Sequence, residues 1–210
     1  MPTHRVVLAT ANPGKIRELR SLLPPNVEVV SASELGIRLP PETGETFVEN
    51  ALLKARVAAR ESGLIALADD SGLEVDALGG RPGVHSARYA GDDADDARNI
   101  ARLLRELRDV PLSQRSARFH AVVAIVAPDG REAIVEGTIE GYIAEEPRGS
   151  GGFGYDPVFI PCEHERTFAE MTLEEKNRLS HRAQALQRAV PILLDWLGCT
   201  GQAADNDESG

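Results

Sequence analysis

Asp69 and Asp70 stand side by side at the end of an apolar run of strand length, Leu64 to Ala68, and Ser71-Gly72 follows as a turn. A hydrophobic strand ending in acids is how an open α/β sheet presents carboxylates at its carboxyl edge, where ligands bind. Adjacent carboxylates repel each other, so the pair makes chemical sense beside a cation. Mg²⁺, a hard ion that takes oxygen ligands and bridges to phosphates, suits it. An Asx turn closing the strand, with both acids solvated, accounts for the same residues without any ligand.

Further residues fit the chemistry of a polyanion. Asn12 and Lys15 sit where a first strand turns into a helix through Ala11-Asn12-Pro13-Gly14. Backbone N–H groups at a helix start attract anions, and a lysine adds a full charge. The Gly-x-x-x-x-Gly-Lys spacing of a Walker loop is absent. Glu49 has capping-box spacing from Thr46 and so a structural reason to be there. Glu42 lies in the loop before that cap, where no helix needs it, and is the better second metal carboxylate. Gly149 to Pro157 is a glycine-rich loop with two aromatics, Phe153 and Tyr155, in a chain only 4% aromatic. One ring held out of such a loop makes a stacking platform for a base, whereas rings turned inward make it a packed turn.

These residues need a framework of strands and helices. Arg5–Thr10 reads as a buried strand, followed by a helix on which Ile16, Leu19, Leu22 and Leu23 recur. A Pro-rich connection leads to a helix over Phe47–Ser62, stopped by Gly63. After the acid pair, Leu73, Val75 and Ala77 alternate as a separate strand, and the chain from Val84 to Gly91 is irregular. Asp92, Asp93, Asp95 and Asp96 crowd the start of a helix running to about Leu107. Phe119–Ala127 and Glu132–Ile143 flank Pro128-Asp129-Gly130 as a long hairpin, which makes the sheet mixed. Thr172 to Glu175 is a second capping box, leading into Lys176. Lys176 and Arg182 are six residues apart, roughly 240° of helical rotation. Both reach one site only if the helix breaks between them and Ser180 caps the second half. Pro191 is a place for the final turns to kink or restart.

Composition narrows the function classes. The chain has 210 residues, 42% of them apolar, which is enough for one domain with a substantial core. The formal net charge of -10 argues against a nucleic-acid surface, and no apolar run is long enough for a membrane span. Met1 to Arg5 runs straight into a strand without the pattern of a signal peptide. Cys162 and Cys199 match no zinc or redox spacing, so a reducing, cytoplasmic setting is expected. Arginine is the default cation here. Only Lys15, Lys54 and Lys176 among 23 basic residues are lysines, and a retained lysine points to a need for a compact ammonium. From Gly198 the sequence turns polar and acidic, a composition expected to be disordered.

Taken together, Thr10 to Lys15, Glu42-Thr43-Gly44 through Glu49-Asn50-Ala51, Ala68 to Leu73, Gly83 to Arg88, Phe153 to Pro157, and Glu175-Lys176-Asn177 with Ser180-His181-Arg182 resemble the inosine/xanthosine triphosphate pyrophosphatase family. The motifs keep that family's order and cover the chain to about Leu197; Ala11, where many relatives carry glycine, and the acidic tail depart from the pattern. The resemblance implies an α/β homodimer with an elongated mixed sheet flanked by helices, in which residues 1–197 form one domain of two lobes around a central substrate cleft, followed by the tail, residues 198–210. It implies hydrolysis of the noncanonical purine nucleotides ITP, dITP and XTP to the monophosphate and pyrophosphate with Mg²⁺. Thr10, Ala11, Asn12, Pro13, Gly14 and Lys15 would hold the triphosphate. Asp70 would be proton acceptor and metal ligand, joined at the metal by Glu42, with Ser71 touching substrate. Phe153, Gly154, Tyr155, Asp156, Lys176, His181 and Arg182 would surround the nucleoside, the last three donating to the keto oxygen at C6 when charged. That Asp70 rather than Asp69 faces the cleft follows from the resemblance alone, because strand alternation sends the two to opposite sides without saying which. The alternatives are a related septum-inhibitor-type enzyme acting on pyrimidine nucleotides, whose opening loop carries Ser and Arg in place of Asn12 and Lys15, and a noncatalytic nucleotide sensor, which would lose the acids.

Overall fold

The computed structural model describes residues 4–10 and 13–199, without the side chains of Pro13, Gly14 and Glu18. Ala11, Asn12 and the acidic residues from 200 onward, all assigned roles or character above, lie outside the described residues, as do the side chains of Pro13 and Gly14. Six strands form one sheet in the order β2-β1-β3-β4-β5-β6. They are β1 (His4–Leu8), β2 (Val27–Ser31), β3 (Ile65–Val75), β4 (Ser116–Val126), β5 (Glu132–Ile143) and β6 (Phe159–Pro161). β1 pairs in parallel with β2 and β3, and every pairing from β3 to β6 is antiparallel. The sheet is therefore mixed, as the long hairpin implied. Among the described residues five α-helices accompany it: α1 (Pro13–Leu22), α2 (Phe47–Ser62), α3 (Asp96–Glu106), α4 (Leu173–Leu179) and α5 (His181–Trp196).

Local chemistry accounts for most boundaries. Thr46 and Glu49 form the capping box of α2, and Gly63 closes it in the left-handed conformation at φ 68°. Between them Ala51, Ala55, Ala58 and Ala59 are fully buried, so the helix lies close over Ala66, Ala68 and Ala124 of the sheet. Asp95 caps α3, its side chain accepting the Arg98 N–H at 2.8 Å. Thr172 and Glu175 cap α4, and Ser180 ends α4 while capping α5. The break between Lys176 and Arg182 is where the rotation arithmetic required it.

Several expectations are corrected by tertiary packing. β1 ends at Leu8, and β4 begins at Ser116 rather than Phe119. Gly83–Arg88, in the stretch expected to be irregular, forms a 3-10 segment. Ser71-Gly72 is no turn: β3 continues without interruption to Val75, in register with β4 from Ala66 opposite Val126 to Val75 opposite Ala117. The long partner strand supplies the ladder that a local reading of Ser-Gly cannot foresee. Gly72 is there for close approach, since a Cβ would run into the Gly83 carbonyl, the Ser86 hydroxyl and the Phe47 ring. α5 passes through Pro191 as one element, with Ala189 and Leu193 fully buried on either side of it.

The continuity of β3 defines the site. Along one face its residues run Ile65, Leu67, Asp69, Ser71, Leu73, Val75. The first apolar pair belongs to a core shared with α1 and α5, and the last pair to a second core built with α3, Phe119, Phe159 and Phe168. Asp69 and Ser71 fall in the polar gap between these cores. The other face runs Ala66, Ala68, Asp70, Gly72, beneath α2. α5 reaches the gap because Gly137 of β5 has no side chain; a Cβ there would collide with the His181 carbonyl and the Ala185 N–H. Gly137→Ala should therefore displace the start of α5 and destabilise the protein by roughly 1–3 kcal/mol, as overpacking does. Chemical denaturation should show this as a lower midpoint at unchanged slope, and an unshifted midpoint would mean that α5 is not seated on the β5 backbone.

Candidate functional site

Asp69 is 5% exposed, yet it is surrounded by positive charge. Its Oδ2 accepts from Lys15 Nζ at 2.6 Å and from Arg182 Nε at 3.2 Å, and Arg182 also donates to Ser71 Oγ at 3.2 Å. Its backbone carbonyl accepts from Lys54 Nζ at 2.8 Å, beyond the last β1–β3 residue pair at Leu67. Burial pushes the Asp69 carboxyl towards neutrality, but Lys15, Arg182 and Lys54 together hold it far below the usual carboxylate range. Asp69 is an ionised anchor, its charge already engaged.

Asp70 has the opposite environment. Its Oδ1 accepts the Ser71 N–H at 3.0 Å, while its Oδ2 is buried with no hydrogen-bond partner. The neighbouring Asn50 uses its Oδ1 to accept the Gly44 N–H at 2.7 Å and turns its buried Nδ2 towards the Asp70 carboxyl. Lys54 Nζ sits 2.5 Å from Glu42 Oε1. Desolvation raises the Asp70 pKa to about 6; Lys54 opposes the rise and the Glu42 charge adds to it. Two adjacent carboxylates thus have their proton affinities driven apart, the arrangement that separates an anchor from a proton acceptor.

Asp70 and Glu42 are the residues here that suit a divalent cation. Among the described residues no cluster of three or more His, Cys, Asp or Glu is placed to enclose a metal. Two carboxylates, one with a buried unpartnered oxygen, still fit Mg²⁺, which takes one or two protein carboxylates and completes its shell with water and substrate phosphates.

On the Asp69 face two adjoining cavities share Phe153, Lys176, His181 and Arg182. The larger, about 360 Å³, is lined by Lys15, Arg17, Ser21, Asn177 and Ser180 as well, with no carboxylate among its described lining residues. The smaller, about 160 Å³, reaches Ser71, Gly72, Ser86, Ala87, Asp96 and Phe119. Phe153 stands 58% exposed, with Lys176 Nζ 4.6 Å and the Arg182 guanidinium 5.7 Å from its ring centre. Tyr155 turns inward and donates its hydroxyl proton to the Ser86 carbonyl at 2.8 Å. The loop thus divides its two rings between the alternatives open to it. Asp156 is buried, accepting the Phe153 N–H at 2.9 Å and Lys176 Nζ at 2.5 Å, so its charge positions the loop and the lysine. The His181 ring is stacked on Phe119, centroids 4.9 Å apart and planes 8° from parallel, with Nδ1 buried and unpartnered. Desolvation, with Arg182 and Lys176 nearby, lowers its pKa well below the ordinary value, so the ring is neutral. It offers one donor and one acceptor, a correction to the expectation that all three basic residues present only donors.

Lys15, Ser71, Phe153, Gly154, Tyr155, Asp156, Lys176, His181 and Arg182 thus gather around the Asp69 face, and Asp70 lies beneath α2, where the charge of Glu42, paired with Lys54, acts on it. Thr10 follows β1 with its N–H bonded to the Leu8 carbonyl at 2.8 Å. Sequence reasoning missed Lys54, Asn50, Phe119 and Asp96. Lys54 carried a signal in lysine scarcity, for all three lysines end on carboxylates of the site. Asn50 and Lys54 are also four residues apart on α2 and share its sheet-facing side.

A mixed α/β sheet carries paired carboxylates split between an ionised anchor and a raised acid, with lysines beside them, an arrangement suited to a polyanionic ligand. The chain belongs to the Ham1 family, whose sequence profile matches residues 6–192. It is 57% identical over 185 residues to a dITP/XTP pyrophosphatase of Geobacillus kaustophilus, a match covering 87% of this chain and 91% of that protein. It is 54% identical over 192 residues to the dITP/XTP pyrophosphatase of Thermus thermophilus, covering 91% and 92% of the two chains. The structure of a HAM1 protein from Coxiella burnetii superposes with a TM-score of 0.87 at 45% identity, covering 92% of this chain and all of that one.

The raised Asp70 pKa has a stability consequence with a definite sign. The folded state holds that proton more tightly than the unfolded chain does, so ionising Asp70 in the fold is unfavourable. In metal-free buffer the wild type should lose stability relative to Asp70→Asn as pH rises from about 4 to above 6, by roughly 2–3 kcal/mol, and the difference should then level off. Urea midpoints at pH 5 and 7.5 in EDTA measure this. Parallel pH dependences of the two proteins would show that Asp70 carries an ordinary pKa.

Proposed function

We propose that this chain hydrolyses noncanonical purine nucleoside triphosphates, ITP, dITP and XTP, to the monophosphate and pyrophosphate, removing deaminated purines from the nucleotide pool. The observation that carries the mechanism is the buried, unpartnered Oδ2 of Asp70 on a carboxyl whose pKa is raised to about 6. A carboxylate of that affinity accepts a proton from water near neutral pH. The water oxygen attacks the α-phosphorus in line, and its proton passes to Asp70. The bond from the α-phosphorus to the bridging oxygen breaks, and the electron pair leaves with pyrophosphate. Lys15 supplies positive charge on the Asp69 face, and Lys54 keeps Glu42 beside Asp70. Asp70 and Glu42 would hold Mg²⁺, which when bound neutralises phosphate charge and favours departure of the leaving group.

The nucleoside is placed on the aromatic side. Phe153 offers its exposed ring for stacking, and the smaller cavity beneath it takes the base. Lys176 and Arg182 never accept hydrogen bonds while charged, so they satisfy a keto oxygen at C6 and oppose the amino group of adenine. Arg182 also bonds Asp69 and Ser71, which makes it the link between base and phosphate regions. A homodimer is proposed on the family resemblance and a cytoplasmic setting on the cysteine usage; no helix among the described residues is long and apolar enough to cross a membrane. Retention of Asp70 and Glu42 speaks against a silent sensor, and the naming of its relatives speaks against a pyrimidine enzyme.

A phosphate-release assay with coupled inorganic pyrophosphatase over ITP, XTP, dITP, GTP, ATP and UTP tests this function, with turnover expected on the first three. Preference for UTP would replace it with the pyrimidine alternative. Asp70→Asn should keep the fold and lower kcat by about 10²–10⁴, the usual contribution of a general base. A variant retaining more than about a tenth of wild-type kcat would remove Asp70 from that role. Phe153→Ala should leave the melting temperature unchanged, because the ring is mostly in solvent, and should raise KM for ITP by about tenfold or more through lost stacking. An unchanged KM would place the base elsewhere.

A further inference from the structure

The smaller cavity depends on the first turn of α3, which no part of the proposed chemistry uses. Asn99, 3% exposed, donates from Nδ2 to the Ala87 carbonyl at 3.1 Å and accepts the Ala90 N–H at 2.7 Å. It thereby ties down the Gly83–Arg88 segment, from which Ser86 and Ala87 line the cavity. Three residues earlier, on the same side of the helix, Asp96 Oδ2 accepts the Gly154 N–H at 2.6 Å. One helical turn therefore holds two walls of the cavity, the 3-10 segment through Asn99 and the aromatic loop through Asp96.

The two neighbouring N–H groups of that loop go to carboxylates from different elements. Phe153 N–H is held by Asp156, inside the loop itself, whereas Gly154 N–H is held by Asp96 from outside. Gly152 and Gly154 both have left-handed φ, 73° and 60°, so the Phe153 backbone is flanked by two conformationally permissive residues. Asp156 fixes the loop to Lys176, and Tyr155 fixes it to Ser86, but among the described residues only the Asp96 side chain hydrogen-bonds it to α3. Asp96 does not cap its helix, since Asp95 does, and it is exposed. Its removal is thus separable from folding in a way that removal of the buried Asn99 is not.

We propose that Asp96 is a positioning residue for the base: by holding Gly154 against α3 it sets the spacing between the Phe153 ring and the Ser86–Ala87 wall. The inference rests on the nucleotide reading of the cleft, and its test separates the two. Amide hydrogen exchange in the unliganded protein reads the tether without reference to activity. Asp96→Ala should speed exchange at Gly154 and leave Phe153, held by Asp156, protected. The same variant should raise KM for ITP about fivefold with kcat nearly unchanged, the size of effect one hydrogen bond produces. It should weaken inhibition by IMP, which carries the base, and leave inhibition by inorganic pyrophosphate as in the wild type. Asp96→Asn keeps an acceptor for Gly154 and should restore both exchange protection and KM. Unchanged exchange at Gly154, or equal weakening of IMP and pyrophosphate inhibition, would overturn the proposal. If the wild type neither hydrolyses ITP nor binds IMP, the function fails, and the exchange experiment still shows whether Asp96 holds the loop.

Discussion

A carboxylate buried between two hydrophobic cores stays ionised only where cations come to it, and at Asp69 that requirement gathers distant parts of the chain. Lys15 arrives from α1, Arg182 from the first turn of α5, and Lys54 reaches the backbone carbonyl from α2. Each of these helices is placed by its own apolar stripe, so the charge cluster adds no driving force that the cores lack. What it adds is position. An uncompensated charge in that gap would cost several kcal/mol, so arrangements of α1 and α5 that leave Asp69 unpaired are disfavoured.

The same strand then divides two chemical tasks between its faces. Alternation sends Asp69 towards Lys15 and Arg182 and Asp70 towards Asn50, Glu42 and the underside of α2. Identical side chains one residue apart acquire opposite proton affinities, one held low by three cations and the other raised by desolvation. Neither environment arises from the Asp-Asp dipeptide itself. Both arise from the helices that cover the two faces, with Lys54 passing between them to bond the Asp69 carbonyl and Glu42.

The aromatic loop shows how glycine and charge cooperate in a surface element. Left-handed glycines at 149, 152 and 154 let the chain bend around Asp156, whose carboxylate occupies space that a side chain on Gly152 would need. Tyr155 is anchored inward on Ser86, while Phe153 stands in solvent beside Lys176 and Arg182. An exposed ring over two cations is retained at a cost in solubility, which is understandable where a base must stack.

Much of this molecule was determined by sequence acting locally. The ends of α2, the caps of α3, α4 and α5, the hairpin between β4 and β5 and the break at Ser180 follow from side chains bonding backbone groups within a few residues, so short windows contain their causes. The scarcity of lysine marked three positions that all proved to pair with site carboxylates. Tertiary structure decided what depends on partners far along the chain. Ser71-Gly72 stays extended because β4 supplies a ladder some fifty residues away, and Pro191 stays helical between Ala189 and Leu193, buried against the sheet. The neutrality of His181, the anchoring of Asp69 and the raised pKa of Asp70 belong to the same class. Burial and long-range charge produce them, and neither quantity exists until the sheet has closed over its helices.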